Sequence, residues 1–405
     1  MSKRIALLAA LVAVIASLAV GAATASTNRH SAPAAKASTH LLVGINDEPD
    51  TLYGDPASAF AVLQTLKVQV LRVNLYWGGT KWAVANKRPA DATDPGDPAY
   101  NWALYDRLVR YATDRNIKVV FSFLFTPSWA NGGKAKNVAP KNFKDLADFA
   151  YAAAERYSGL WIPPSWQQDA SLGITSVALP KVTMWTAWNE PNNPLWLVPQ
   201  YKKVGRTWRI ESAFQYAKIC NAIYNGVHSP FLGPLQGEQV ACGVTGPKGN
   251  DAPKSSRPSV DPLSFLSAAK KFGMKKFDVY AHHPYVDKGS EAPSYKPKGR
   301  RIQLGNISVL MSQVTKLYGA KHFWITEYGY QTNPPDKTVF GISWAKQARD
   351  MKDVYAIARK NPRIDMMLWF LVRDEPNMGG WQSGLQTVTG KKKPSWNTFI
   401  ALPRG

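Results

Sequence analysis

Nearly continuous apolar runs alternate with amphipathic stretches along this chain of 405 residues, from about residue 40 to the C-terminus. Continuous apolar runs are typical of strands in a parallel sheet that is covered on both faces, and the stretches between them have helical periodicity. The predicted strands are 40–46, 68–77, 117–125, 181–188, 231–235, 276–281, 322–326 and 364–370. The predicted helices are 57–66, 101–115, 142–157, 211–226, 262–272, 302–318 and 340–360.

Alternation of this kind predicts an α/β protein built from βαβ units around a parallel sheet. Eight strands favour closure into a single (β/α)8 barrel over an open sheet, and no Gly-x-Gly-x-x-Gly follows a strand, as a dinucleotide-binding fold would require. We find no internal repeat and no second domain. Residues 40–405 are therefore predicted to form one catalytic-type barrel, with its functional face at the long βα connections 78–97 and 237–260.

The N-terminal residues 1–25 have the pattern of a secretory signal peptide. Lys3 and Arg4 precede the apolar stretch 5–20, and Ala23-Thr24-Ala25 has the small-x-small form of a cleavage site. An uncleaved membrane anchor is the competing interpretation, because the apolar stretch approaches spanning length. The cleavage site and the polar segment 26–39, which reads as a flexible linker, favour removal after Ala25 and a secreted or cell-wall location without stable membrane insertion.

Charge and cysteine content narrow the class of protein. The chain has 50 Lys and Arg against 28 Asp and Glu, a net charge of +22, which falls to 22 − 2 = +20 once Lys3 and Arg4 are removed. The cations are spread out and no nucleic-acid motif accompanies them, so we expect a basic surface that associates with anionic cell-wall polymer rather than nucleic acid. Cys220 and Cys242 can pair in an oxidising compartment, and the sequence leaves their pairing open.

Two glutamates stand directly after apolar strands. Glu190 follows the fourth predicted strand in Trp188-Asn189-Glu190-Pro191, and Glu327 follows the seventh in Thr326-Glu327-Tyr328-Gly329. The C-terminal ends of barrel strands meet at the mouth of the functional site. A facing pair of carboxyl groups is what glycoside hydrolysis requires.

These motifs resemble clan A glycoside hydrolases, retaining (β/α)8 enzymes with catalytic glutamates after strands four and seven. The resemblance extends over residues 40 to 402 and includes Arg72 on strand two, His283-Pro284-Tyr285 after strand six and the closing segment 390–396. Within the clan, the Trp-Asn-Glu-Pro-Asn motif is most similar to the corresponding motif of family 39 and its neighbouring families.

The resemblance implies a role for each matching residue. Glu190 would be the general acid/base and Glu327 the nucleophile, with Arg72 and Tyr285 as hydrogen-bond donors to it. Asn189 would bind the sugar 2-hydroxyl. His283 would lie beside the carboxyl pair; His282 is its rival for that position. Trp77, Trp129 and Trp369 are predicted to stack on sugar rings, as is Trp196.

The sequence therefore predicts a secreted retaining glycosidase that cleaves a β-linked oligo- or polysaccharide and needs no cofactor. A metal site is not expected, since His282 and His283 are adjacent and point to opposite sides of a strand. One alternative is a catalytically silent carbohydrate-binding or cell-wall protein on the same barrel. Another is a basic adhesion protein that uses the barrel only as a scaffold.

Overall fold

Eight parallel strands close into a barrel in the computed structural model, which describes residues 40–163, 178–229, 237–335 and 341–405. The predicted signal peptide and linker lie outside the described residues. Around the barrel, each strand pairs with its sequence neighbours and β8 pairs with β1. The strands are β1 Leu42–Asn46, β2 Val70–Tyr76, β3 Lys118–Leu124, β4 Met184–Ala187, β5 Gln239–Thr245, β6 Val279–His282, β7 His322–Tyr328 and β8 Ile364–Phe370.

Helices follow the strands and form the outer layer. They are α1 Pro56–Thr65, α2 Ala103–Thr113, α3 Ser128–Asn131, α4 Phe143–Arg156, α5 Glu211–Val227, α6 Pro262–Lys271, α7 Ile307–Tyr318, α8 Trp344–Arg359 and α9 Pro394–Ala401. An antiparallel hairpin, Tyr201–Val204 with Thr207–Ile210, interrupts the connection from β4 to α5 and was not predicted. Among the described residues, none of these helices combines the length and apolar character needed to cross a membrane.

Two apolar layers hold this architecture together. Side chains that point inward from the strands fill the barrel, among them Val70, Val120, Trp324 and Leu368. Side chains on the opposite face of each strand pack against the helices in a second and larger cluster. Because successive strand residues alternate between the two layers, both faces are apolar, which explains the continuous apolar runs in the sequence.

The fifth barrel strand is not where the sequence pattern places it. The predicted strand 231–235 lies outside the described residues, whereas the strand that pairs with β4 and β6 is Gln239–Thr245, a segment predicted to be loop. Gly243 explains the error. A Cβ on Gly243 would lie 2.4 Å from the Tyr280 ring, so this strand position has to lack the side chain by which a buried strand is recognised.

A disulfide joins the outer layer to this strand. Cys220 on α5 and Cys242 on β5 are bonded, with their Cα atoms 6.0 Å apart, and both side chains are buried. Cross-linking removes conformational freedom from the unfolded chain, so the bond stabilises the native fold.

Replacing Cys220 and Cys242 together by serine should lower the free energy of unfolding by about 3 kcal/mol, the value typical of a closed loop of this length. The measurement is denaturant unfolding of the oxidised protein and the double variant, with non-reducing peptide mapping to verify the bond. Equal unfolding midpoints would show that the disulfide contributes nothing to stability.

Candidate active site

A cleft of about 590 Å³ opens at the C-terminal ends of the strands. Glu190 and Glu327 both line it, although 137 positions separate them in the sequence. The side chain of Glu190 is 15% exposed and that of Glu327 is 12% exposed. The barrel therefore brings the two predicted carboxyl groups into one partly dry site.

The segment that carries Glu190 has an unusual backbone. Trp188 has a φ of 71° and Glu190 a φ of 33°, values that side-chain-bearing residues seldom adopt. The Glu190 N–H donates to the carbonyl of Val244 on the neighbouring strand β5, at 2.8 Å. Such strained residues persist where the surrounding structure holds them, and they cluster at functional sites.

Asn192 holds this segment against the loop that follows β5. Its side-chain oxygen accepts from the Gly246 N–H at 2.9 Å, and its amide nitrogen donates to the Val260 carbonyl at 2.9 Å. A Cβ on Gly246 would lie 3.1 Å from the carboxyl carbon of Glu190, so glycine leaves room for that group. In the Asn-Glu-Pro-Asn motif, Asn192 therefore has a structural role, since it holds the segment that carries Glu190.

Arg72 on β2 organises the floor of the cleft. The guanidinium donates to Glu327 through Nη1 at 2.6 Å, to Asn189 through Nη2 at 2.8 Å and to Ser122 through Nε at 2.7 Å. Only 1% of the Arg72 side chain is exposed. A buried cation has to be paired and hydrogen-bonded, and here its partners come from β3, from the segment after β4 and from β7.

Glu327 is held in its ionised form. Burial opposes ionisation of this carboxyl, but the charges of His283 and Arg72 and the hydrogen bonds from Arg72 and Tyr285 outweigh it, so the pKa of Glu327 lies below its usual range. The Tyr285 hydroxyl donates to Glu327 Oε2 at 3.2 Å. The arrangement favours a carboxylate that acts as a nucleophile or a base rather than as an acid.

His283 lies between the two carboxyl groups. Its Nδ1 is 3.1 Å from Glu190 Oε1 and 3.6 Å from Glu327 Oε2, and its Nε2 is 2.9 Å from the Thr326 hydroxyl. His282 instead points away from the cleft, where it contacts Thr245 and the Ile302 carbonyl. Burial lowers the pKa of His282 to about 3, which makes it a neutral part of the core.

Among the described residues, one group has the spacing of a metal site. One potential ligand atom each from Glu190, His283 and Glu327 lie within 4.8 Å of one another. The Arg72 guanidinium contacts the Glu327 carboxylate directly, and its positive charge opposes a cation there.

Trp77, Trp129 and Trp369, which were predicted to contact sugar, do not line this cleft. Trp77 and Trp369 are 1% and 0% exposed and belong to the layer between strands and helices. One face of Trp129 is covered by Arg88, whose guanidinium lies 4.5 Å from the ring centroid. Strand residues alternate in direction, and it is Phe370, next to Trp369, that reaches the cleft.

Other residues line the cleft that the sequence motifs do not identify. Trp196, which was predicted to contact sugar, lines the cleft together with aromatic side chains from other parts of the barrel. Asn193 also lines the cleft, and its Nδ2 donates to Glu190 Oε2 at 3.2 Å. Arg72, Asn189, Tyr285 and His283 all lie around the two glutamates. The further polar and aromatic lining residues are Asn46, Glu48, Tyr53, Asn74, Tyr76, Lys248, Asp287, Tyr330, Gln331, Glu375 and Trp381.

Comparison with known proteins shows the relationship at the level of the fold. The sequence matches no protein-family model and no curated protein. Its fold is similar to a family 39 glycoside hydrolase from Bacteroides cellulosilyticus WH2, with a TM-score of 0.55 and 17% identity. It is also similar to a glucosidase from Croceicoccus marinus (TM-score 0.61, 13% identity) and to a fungal β-1,4-galactanase (TM-score 0.52, 14% identity).

These alignments cover nearly all of this chain but different shares of the neighbours. They span 90%, 90% and 89% of this chain, and 63%, 68% and 99% of the family 39 enzyme, the glucosidase and the galactanase. This chain therefore spans less than two thirds of the family 39 enzyme. The (β/α)8 fold predicted from the sequence is confirmed, and it is similar to the folds of these glycoside hydrolases.

Replacing Arg72 by lysine should raise the pKa of Glu327, because one ammonium group cannot reproduce the contacts of the guanidinium. Since the folded-state pKa of Glu327 is lowered, its ionised form stabilises the fold above the ordinary pKa of glutamate. That contribution is lost as the pH falls from the ordinary pKa through the lowered one. In the variant the contribution should be smaller, and its loss should be complete at a higher pH.

Carboxyl ¹³C NMR titration measures this pKa, with the Glu327 signal assigned from its absence in Glu327→Gln. Arg88→Lys, a change at an exposed side chain outside the cleft, is the matched control and should leave the titration unaltered. An unchanged Glu327 midpoint in Arg72→Lys would contradict the role given to the guanidinium.

Proposed function

We propose that this protein is a secreted retaining glycoside hydrolase that cleaves a β-linked oligo- or polysaccharide by double displacement. The observation that carries the proposal is the shared environment of Glu190 and Glu327. The two carboxyl groups come from different strands, contact the same His283 and differ in their partners, since Glu327 alone is paired with Arg72. Two carboxyl groups in unlike environments are what acid and nucleophile roles require.

Glu327 is the proposed nucleophile. Its ion pair with Arg72 and the hydroxyl of Tyr285 keep the carboxylate charged and fix its orientation towards the cleft. Attack of a Glu327 oxygen on the anomeric carbon forms the glycosyl-enzyme ester while the glycosidic C–O bond breaks.

Glu190 is the proposed acid/base. In the first step it gives its proton to the departing glycosidic oxygen, and in the second it takes a proton from the attacking water. Asn193 donates to one oxygen of Glu190 and His283 contacts the other, so the carboxyl group is held in one orientation. The strained backbone at Glu190 serves the same positioning.

The spacing of the two carboxyl groups supports retention of configuration. Oxygens of Glu190 and Glu327 approach within 4.8 Å. This fits the roughly 5–5.5 Å spacing of retaining enzymes better than the roughly 6.5–9.5 Å of inverting enzymes, which must hold a water between the groups.

Asn189 is suited to bind the 2-hydroxyl of the sugar in the reacting position. It lines the cleft, and its oxygen accepts from Arg72 at 2.8 Å, which orients the amide nitrogen as a donor. Among the described residues, that nitrogen has no hydrogen-bond acceptor. A contact with the 2-hydroxyl strengthens as positive charge develops on the sugar, so it favours the transition state.

The substrate class rests on the cleft and on the structural neighbours. Exposed Trp381 and half-buried Trp196 offer indole faces for sugar rings at separate positions along the cleft. The neighbours include a glucosidase and a β-1,4-galactanase. The indole faces favour a glycan as the substrate, and the likeness to the β-1,4-galactanase favours a β-linked one.

Secretion and cell-wall association form the remaining part of the proposal. The signal-peptide pattern of residues 1–25 supports export, and the net charge of +22 supports contact with anionic cell-wall polymer. Such contact should weaken as salt concentration rises.

Glu327→Ala should abolish glycoside cleavage, because among the described residues Glu327 is the carboxylate that contacts His283 together with Glu190. Initial rates on 4-nitrophenyl β-glycosides and on β-linked polysaccharides measure the loss. Glu155→Ala, which removes a carboxyl group from α4, is the control and should retain wild-type rates. Wild-type activity in Glu327→Ala would exclude Glu327 from the reaction.

Glu190→Ala should lower the rate about 10²- to 10⁴-fold on substrates with poor leaving groups and less on dinitrophenyl glycosides, which depart without a proton. Azide needs no general base, so it should restore turnover of this variant and yield a β-glycosyl azide. A β-glycosyl azide from Glu327→Ala together with an inverted α-glycosyl azide from Glu190→Ala would mean that the two roles are exchanged.

The mature protein should begin at Ser26 and be found in the culture medium or the cell-wall fraction. N-terminal sequencing of the protein expressed with its own first 25 residues tests this. Recovery of membrane-bound protein that retains residues 1–25 would contradict secretion by cleavage.

A further inference from the structure

A third carboxyl group, that of Glu48, lines the cleft. Glu48 follows the end of β1, three strands around the barrel from the strand that carries Glu190. It belongs to none of the sequence motifs and has no place in the double-displacement steps. Because Glu48 lines the same cleft as Glu190 and Glu327, a ligand bound there can contact it.

Residues of β2 fix the Glu48 side chain. The Asn74 N–H donates to Oε1 at 2.7 Å and the Tyr76 hydroxyl donates to Oε2 at 2.9 Å. Beside it, the side-chain oxygen of Asn74 is buried and has no hydrogen-bond partner among the described residues. Each carboxylate oxygen can accept a further hydrogen bond, and the Asn74 oxygen has none, so this part of the cleft can accept hydrogen bonds from a ligand.

Among the described residues, no lysine, arginine or histidine forms an ion pair with Glu48. Arg72 is nearby, but its three nitrogens donate to Glu327, Asn189 and Ser122. Burial raises the pKa of Glu48, although the hydrogen bonds from Asn74 and Tyr76 and the charge of Arg72 act against this rise. Donors from a bound ligand would relieve the same cost of burial.

The charges around Glu48 do not favour an anionic ligand. Glu375, in the loop after the adjacent strand β8, also lines the cleft, and among the described residues it too has no ion pair. The lysine that lines the cleft, Lys248, is paired with Asp287 at 2.6 Å, and Arg301 contacts the same carboxylate at 2.6 Å. A protein of net charge +22 thus has an acidic substrate cleft.

We propose that Glu48 determines sugar specificity, accepting hydrogen bonds from hydroxyl or ammonium groups and excluding sugars that carry a carboxylate. This inference rests on the proposed glycosidase function. Neutral hexoses and amino sugars supply O–H and N–H donors for the remaining lone pairs of Glu48 and for the unpartnered Asn74 oxygen. A uronic acid would bring a further negative charge and further acceptors to the same place.

The test compares 4-nitrophenyl β-glucoside, β-galactoside, β-glucosaminide and β-glucuronide, which share one leaving group. The best neutral or amino glycoside should exceed the glucuronide by at least about 100-fold in kcat/KM. Glu48→Gln keeps the side-chain shape and removes the charge, so it should reduce this ratio about tenfold or more, mainly through KM. Asp148→Asn changes a half-buried carboxylate of α4 that is paired with Lys144 outside the cleft; it is the control and should leave the ratio unchanged.

Binding is measured in parallel, so that this inference can fail separately from the proposed function. Saturation-transfer NMR compares glucose, glucosamine and glucuronate on the wild-type protein, Glu48→Gln and Glu375→Gln. The inference is supported if the wild-type protein binds glucose or glucosamine more tightly than glucuronate and this difference is smaller in Glu48→Gln. That holds even if no glycoside is cleaved. Preference for glucuronate, or a preference that Glu48→Gln leaves unchanged, overturns it, even if the protein proves to be a glycosidase.

Discussion

The buried guanidinium of Arg72 is the interaction on which the site depends. Removing a cation from water is costly, and the cost is offset only when the barrel closes and brings Ser122, Asn189 and Glu327 to its three nitrogens. The same contacts fix the proposed nucleophile and the proposed 2-hydroxyl ligand. Fold and chemistry are therefore coupled, because a change in the pairing of the strands would leave both a charge and a catalytic group without partners.

Buried polar contacts also hold the loops that surround this centre. Asn192 ties the Glu190 segment to the loop after β5, and the buried ion pair of Lys393 with Asp374 ties α9 to the loop after β8. Lys393 also donates to Thr332 at 2.8 Å, in the loop after β7. The closing segment of the chain thus supports the cleft from outside, while the strained backbone at Glu190 is stabilised from within.

Most of the barrel and the central residues could be predicted from the sequence, because continuous apolar strands ending in Glu190 and Glu327 leave a strong pattern. The fifth strand could not be predicted, because the Tyr280 ring occupies the space where a side chain at position 243 would lie, and the glycine there interrupts the apolar run. Whether the Trp369 side chain points into the barrel or towards the helices depends on the strand register, and a one-residue shift in register reverses that direction. Glu48 follows β1 without a motif, and its significance depends on contacts with β2 that only the folded chain provides.

The stereochemistry of the first product tests the central claim most directly. If Glu190 is the acid/base and Glu327 the nucleophile, as proposed, hydrolysis requires two inversions at the anomeric carbon. ¹H NMR of a β-glycoside digest, recorded before mutarotation, should show the β-anomer of the released sugar first. Initial appearance of the α-anomer would mean direct attack by water and would contradict a covalent intermediate on Glu327.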